Sequence, residues 1–235
     1  MYAMVLPTFG LLLLVGLLGA IHPYVSGVFT TLATALHGHG IAKRRVLLAL
    51  ACYILAQFAV FALISLLLLL FSTWVPVGIL QIIQLVLGLY ITAWAMVEAR
   101  AWLYPQSFKS KLPPAALRWA RKAIEQQPTA QNGIYIALLV GVAQMQLLTA
   151  PLLAFYSITH LQITSSGMLS VLLLSAIVVL PMVKILLFLS GSTKVSTVKN
   201  WQRRLAGPTR LVSAGILFLL GMLLLLTAGR FIYIG

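Results

Sequence analysis

The sequence predicts an all-α integral membrane protein: six transmembrane helices in two inverted three-helix repeats, with a broken first helix in each repeat. Three observations predict it. Of the 235 residues, 62% are hydrophobic and 8% charged, with a mean hydropathy of +1.07. A soluble domain holds about 45–50% apolar and about 25% charged residues, so there are too few charges here to cover a water-facing surface. Six apolar stretches reach the roughly 20 residues that a spanning helix needs. The basic residues fall only in alternate connections between those stretches.

The six segments run Thr8–Leu36, Val46–Phe71, Val75–Val97, Gly133–Thr159, Met168–Ser190 and Leu211–Ile232. Met1 to Pro7 carries no Lys or Arg. A secretory signal peptide opens with a basic region, so the first segment is expected to be a retained helix. Lys43, Arg44 and Arg45 follow it, and the turn around Ser72–Val75 is uncharged. The third connection holds Arg100, Lys109, Lys111, Arg118, Arg121 and Lys122, and the one around His160–Gly167 holds no Lys, Arg, Asp or Glu. The fifth holds Lys194, Lys199, Arg203, Arg204 and Arg210. Basic connections stay cytoplasmic, so both termini are expected outside (periplasmic) and connections one, three and five inside, in the inner membrane. The net charge of +14 therefore reads as contact with anionic headgroups and excludes nucleic acid as the partner.

Residues 1–100 form the expected first repeat, 101–131 a cytoplasmic linker and 132–235 the second repeat. In the linker, Pro113-Pro114 opens the stretch AALRWARKAIEQQ, which Pro128 closes. Leu117, Ala120 and Ile124 share one side of it, with the charges elsewhere. This is a basic amphipathic helix suited to lie on the cytoplasmic leaflet with Trp119 at the interface. Each half begins with a segment interrupted by Gly and Pro: Gly16, Gly19, Pro23 and Gly27 in the first, Gly141 and Pro151 in the second. The third helices, GILQIIQLVLGLYI and AGILFLLGMLLLL, share a glycine rhythm. Three helices per half insert the halves in opposite directions. Inverted repeats with interrupted leading helices place a binding site near the midplane.

GLLGAIHPYVSG, then KRRVLLALACYILAQFAVFALI, then GVAQMQLLTAPLLAF and RRLAGPTRLVSAGILFLLGMLLLL, resemble the CcdA/DsbD transmembrane family of cytochrome c biogenesis and thiol–disulfide interchange. The likeness covers nearly the whole chain. It implies a bacterial inner-membrane protein and, for the family's redox members, electron relay through one cysteine in each leading helix. The motif Ser-Pro-Cys-x-x-Pro falls on His22-Pro23-Tyr24-Val25-Ser26-Gly27, and Thr-Pro-Cys-x-Gly-Pro on Gln146 to Pro151. Tyr24 and Leu148 stand where the cysteines would be. Thiol exchange needs a thiolate attacking a disulfide, which neither supplies, and Cys52 is the chain's single cysteine. A sister group with Gly-x-x-Gly-x-x-His-Cys matches Gly16 to His22, and six-helix exporters of the LysE type share the plan without cysteines.

The remaining expectation is transport of a small solute or metal ion through a midplane site. His22, Pro23, Tyr24, Ser26 and Gly27 would form one wall, and Gln144, Gln146, Thr149 and Pro151 the other, with Lys184 facing a solute or snorkelling. His22, with His37 and His39 of the His-Gly-His-Gly turn, is the candidate transition-metal set; no other cofactor is implied. His160 reads as an interfacial anchor, and Gln57, Gln81 and Gln84 as polar groups bonding between helices. With Glu98 and Glu125 as the only acids, no carboxylate pair for acid–base catalysis is expected. Two other readings stay open: a thiol–disulfide relative that has lost its redox cysteines, and a non-catalytic subunit that docks a membrane or periplasmic partner.

Overall fold

The computed structural model describes residues 2–21, 29, 33, 43–104, 130–161, 163–190 and 195–232. They form α1 (Tyr2–Ile21), α2 (Lys43–Trp74), α3 (Val77–Leu103), α4 (Ala130–Thr159), α5 (Ser165–Ser190) and α6 (Val195–Ile232). No strand occurs among the described residues. Four stretches are long and apolar enough to cross a membrane: Arg44–Trp74, Val77–Leu103, Ser165–Ser190 and Gly207–Gly229. The described apolar parts of α1 and α4, Thr8–Ala20 and Leu148–Thr159, are shorter. Leu55, Ile82 and Leu187 are 68%, 65% and 65% exposed along these spans. Water would reject such a surface and hydrocarbon accepts it. The chain is a helical membrane protein. The expected break at Pro23–Gly27, the His37–His39 turn and the linker helix lie outside the described residues.

Two helix starts differ from expectation. α2 begins at Lys43 and α6 at Val195, so Arg44, Arg45, Arg204 and Arg210 belong to helices and not to loops. Lys and Arg are good helix formers, so a basic stretch can continue a helix as readily as leave it. Between α2 and α3 the turn is as short as expected. The Val75 amide bonds the Phe71 carbonyl at 3.1 Å, and Pro76 caps α3, its carbonyl taking the Leu80 amide at 3.0 Å. With no N–H of its own, Pro76 cannot continue α2. His160 ends α4 with φ of 48°, and its amide returns to the Tyr156 carbonyl at 3.1 Å, a left-handed cap that satisfies a terminal carbonyl.

α3 packs chiefly on α6, α2 on α4 and α5, and α1 on α5. Lesser contacts join α3 to α4, α1 to α4, α1 to α6 and α4 to α6. α3 and α6 are antiparallel over their length. A Cβ on Gly88 would stand 2.9 Å from Leu225 Cδ2 and 3.2 Å from the Gly221 carbonyl, and one on Gly221 would meet Thr92. Toward the C-terminal end of α3 the Arg210 guanidinium donates to the Ala101 carbonyl at 3.4 Å. Here the missing side chains matter: the two backbones touch only because both crossing residues are glycine.

α2 and α4 run parallel at first. A Cβ on Gly133 would lie 2.5 Å from the Ala49 carbonyl, and one on Gly141 would lie 2.8 Å from Val60 Cγ1. Further along, Ser65 meets Tyr156. From Gly141 to Tyr156 a straight helix rises about 22 Å, while Val60 to Ser65 covers about 7.5 Å. α4 therefore turns away from α2 between these contacts. Pro151 lies inside this stretch, where it removes the bond to the carbonyl four residues earlier and bends the helix.

The candidate functional site in the helix interior

The interior carries polar groups that the apolar spans do not require. Gln57 on α2 is fully buried. Its amide donates to the Ala137 carbonyl of α4 at 2.7 Å and approaches the Tyr53 hydroxyl at 3.4 Å. Gln84 on α3, 2% exposed, donates to the Ser157 carbonyl of α4 at 2.8 Å. In both, Oε1 is buried and has no hydrogen-bond partner among the described residues, and the same holds for the Ser213 hydroxyl on α6. Ser65 and Tyr156 share a hydrogen bond of 2.5 Å between α2 and α4, with Ser170 of α5 beside the same phenol.

Apart from Ser213, these groups bond α4, at two places about 30 Å apart along it. Its early part supplies the Ala137 carbonyl and its late part supplies Tyr156 and the Ser157 carbonyl. The Ser157 hydroxyl meanwhile bonds the Ala154 carbonyl at 3.0 Å. Serines bonding back to their own helix tend to bend it, which suits a segment that already contains Pro151. An amide oxygen left unpaired away from water costs roughly 1–3 kcal/mol. Two of the orphan atoms are amide oxygens, which accept, and the third is a hydroxyl, which can donate or accept. The described interior is neutral, so it offers hydrogen bonds and dipoles, not fixed charge.

The residues expected from sequence fall as follows. Pro151 is buried and Thr149 half-buried in α4. Gln144 and Gln146 lie in α4, with side chains outside the described ones. His22, Pro23, Tyr24, Ser26, Gly27, His37 and His39 lie outside the described residues altogether. Lys184 is on the exposed face of α5, its Nζ 5.9 Å from the Phe188 ring centroid, a position that suits a snorkelling ammonium. Leu148 is buried, with its Cδ2 3.2 Å from a Cβ on Gly19 of α1, so α1 and α4 touch there. Cys52 is half-buried and lines an outward groove between α2 and α4. His160 is exposed at the end of α4.

Sequence reasoning placed Gln57 and Gln84 among groups bonding between helices, and both do so. It did not place them in the site, and it missed the Ser65–Tyr156 pair and Ser213. The one available signal was hydroxyls and amides inside otherwise apolar spans, which does not say which helix face is buried.

No protein-family model matches the chain, and no curated protein or solved structure matches it.

Proposed function

We propose that this protein is a six-span inner-membrane transporter of a small polar solute or metal ion, on a scaffold resembling the CcdA/DsbD family. In this reading α1–α3 and α4–α6 are inverted repeats, both termini face outward, and the solute crosses between α1 and the bent part of α4.

The pattern of helix contacts supports the repeat. Exchanging α1 with α4, α2 with α5 and α3 with α6 turns α2–α4 into α5–α1 and α3–α4 into α6–α1. It leaves α1–α4, α2–α5 and α3–α6 as self-paired contacts. Of the packed pairs, only α4–α6 lacks its mate among them. Contacts at the α3–α6 crossing support the same relation. Shifting numbers by 133 carries Gly88 to Gly221 and Thr92 to Leu225, and Gly88 meets Leu225 as Gly221 meets Thr92. An odd number of helices per half makes the two insertions opposite. The parallel course of α2 with the first part of α4 fits the same topology.

The observation that carries transport is the set of buried, unpaired polar atoms, Gln57 Oε1, Gln84 Oε1 and Ser213 Oγ, within spans. At membrane depth such groups are costly unless they line a cavity or meet a ligand. Proteoliposomes containing the purified protein, assayed by charge movement and tracer flux against a panel of cations and neutral amino acids, should reveal uptake of at least one. Gln57→Leu should lower that uptake at least tenfold. Flux equal to empty liposomes for the whole panel, or unchanged flux in Gln57→Leu, would reject the reading.

A further inference from the structure

We propose that the groove between α2 and α4 is a binding site for an anionic phospholipid, with one acyl chain in the groove and the phosphate against Arg45. The groove has a volume of ≈ 400 Å³, and its lining from α2 is Cys52, Leu55, Ala56, Ala59, Val60 and Leu63. Ile134 and Leu138 of α4 close the other side.

On α2 the residues spaced three and four apart form one stripe, and that stripe continues below Cys52 through Leu48 to Arg45. Leu48 and Arg45 are both exposed. On α4 the matching row runs back from Leu138 and Ile134 to Gln131, which is also exposed. The slot is therefore apolar along its length, with a guanidinium and an amide at one end.

Its dimensions fit a lipid. Cys52 to Leu63 covers about 16 Å of helix, close to half of the roughly 30 Å hydrocarbon core. Arg45 lies about 10 Å beyond Cys52, at the level of the phosphates. The groove floor is made by small residues: Ala56 and Ala59 leave room, and Gly133 and Gly141 bring α4 against Ala49 and Val60. A polar solute has nothing to bond there. The charge selects the headgroup, because an Arg close to an anionic surface favours it and planar guanidinium pairs with phosphate in bidentate fashion. This inference depends on α2 crossing the bilayer and is independent of whether the interior transports anything.

The test is native mass spectrometry of the full chain in mild detergent, with equimolar phosphatidylglycerol and phosphatidylcholine. The intact protein should retain phosphatidylglycerol about fivefold over phosphatidylcholine, the factor set by one basic residue beside an anionic surface. Arg45→Gln should bring the ratio to near one, and Ala59→Leu, which fills the slot from an exposed position, should lower retention of both lipids. Arg204→Gln, an exposed arginine on α6, should leave the ratio unchanged. Equal retention of the two lipids by the unaltered protein would overturn the proposal. So would an undiminished ratio in Arg45→Gln, or a dimer mass that Ala59→Leu abolishes, which would mean a second copy of the chain fills the groove.

Discussion

The sharpest test of the helix arrangement is the contact between α3 and α6, because its two glycines differ in what surrounds them. A Cβ on Gly221 would press on the Thr92 hydroxyl and lie 3.0 Å from the Thr92 backbone nitrogen and 3.1 Å from the Gly88 carbonyl. Two of those neighbours are backbone, and the third is held by its own bond to the Gly88 carbonyl at 2.7 Å. Relief requires the helices to separate. A Cβ on Gly88 would meet Leu225 Cδ2 and Cγ at 2.9 Å, which a change of side-chain rotamer can relieve, and one backbone atom, the Gly221 carbonyl oxygen, at 3.2 Å. Overpacking costs typically 1–3 kcal/mol, while replacing glycine by alanine within a helix returns about 1 kcal/mol. Gly221→Ala, crowded by two backbone atoms, should therefore lose up to about 2 kcal/mol, and Gly88→Ala should lose clearly less.

The assay is reversible SDS unfolding followed by far-ultraviolet circular dichroism, with Trp94 and Trp102 fluorescence reporting on α3. Thr92→Ala removes the nearest obstacle, so the double variant Thr92→Ala/Gly221→Ala should recover part of the loss, with a coupling of at least about 0.5 kcal/mol. Equal stability of Gly221→Ala and the unaltered protein, or strictly additive single and double variants, would mean that α3 and α6 do not cross at these glycines.

Gly133→Ala should cost more than Gly10→Ala or Gly215→Ala, by about 2 kcal/mol in the same assay. A Cβ at 133 faces the Ala49 carbonyl at 2.5 Å, while those at 10 and 215 meet nothing within 4 Å. Gly141→Ala should be destabilising alone and restored by Val60→Ala, because the crowding atom is a Val60 methyl at 2.8 Å; failure of rescue would place α2 and α4 in another register. Gln57→Leu should change stability by less than about 1 kcal/mol, since a bond between membrane helices is worth about 0.6 kcal/mol on average and the orphan oxygen goes with the side chain; a larger loss would make Gln57 a packing residue. With Cys52→Ser as background, a cysteine at exposed Ser166 should react with an impermeant maleimide from outside right-side-out vesicles and one at Arg204 should not, and the reverse pattern would invert the topology.

Four long apolar helices were readable from sequence because hydropathy over about 20 residues is a sum that no single substitution alters much. The short turn after Phe71 was readable at Ser72–Val75, while the part Pro76 plays in it, stopping α2 and capping α3, came from the structure. Helix starts at Lys43 and Val195 were not readable, since basic residues are equally at home in a helix and in a cytoplasmic loop. The interior partners were hidden for a different reason. Gln57 and Gln84 each bond a backbone carbonyl, of Ala137 and Ser157, and a carbonyl leaves no residue type to find by pattern.

In the proposed repeat, the α3–α6 crossing would pair two halves that differ chemically. Under the shift of 133 that relates Gly88 to Gly221, Gln84 corresponds to Leu217 and Thr92 to Leu225. Gln84 and Leu217 are both buried, at 2% and 0% exposure. The backbone relation is kept while the polar side chain is found on α3 alone. A symmetric lining would offer a solute equivalent stations from either side of the membrane. Here the amide of α3 reaches the late part of α4, and α6 presents leucine at the corresponding place. The interhelical bonds of Gln57, Ser65 and Gln84 all run from α2 and α3 to α4, while α6 contributes the buried Ser213 hydroxyl. That one-sidedness yields a directional expectation: Leu217→Gln, which restores the missing amide, should alter uptake measured from one side of the vesicle more than from the other. Equal effects from both sides would show that Gln84 is only a clasp between α3 and α4.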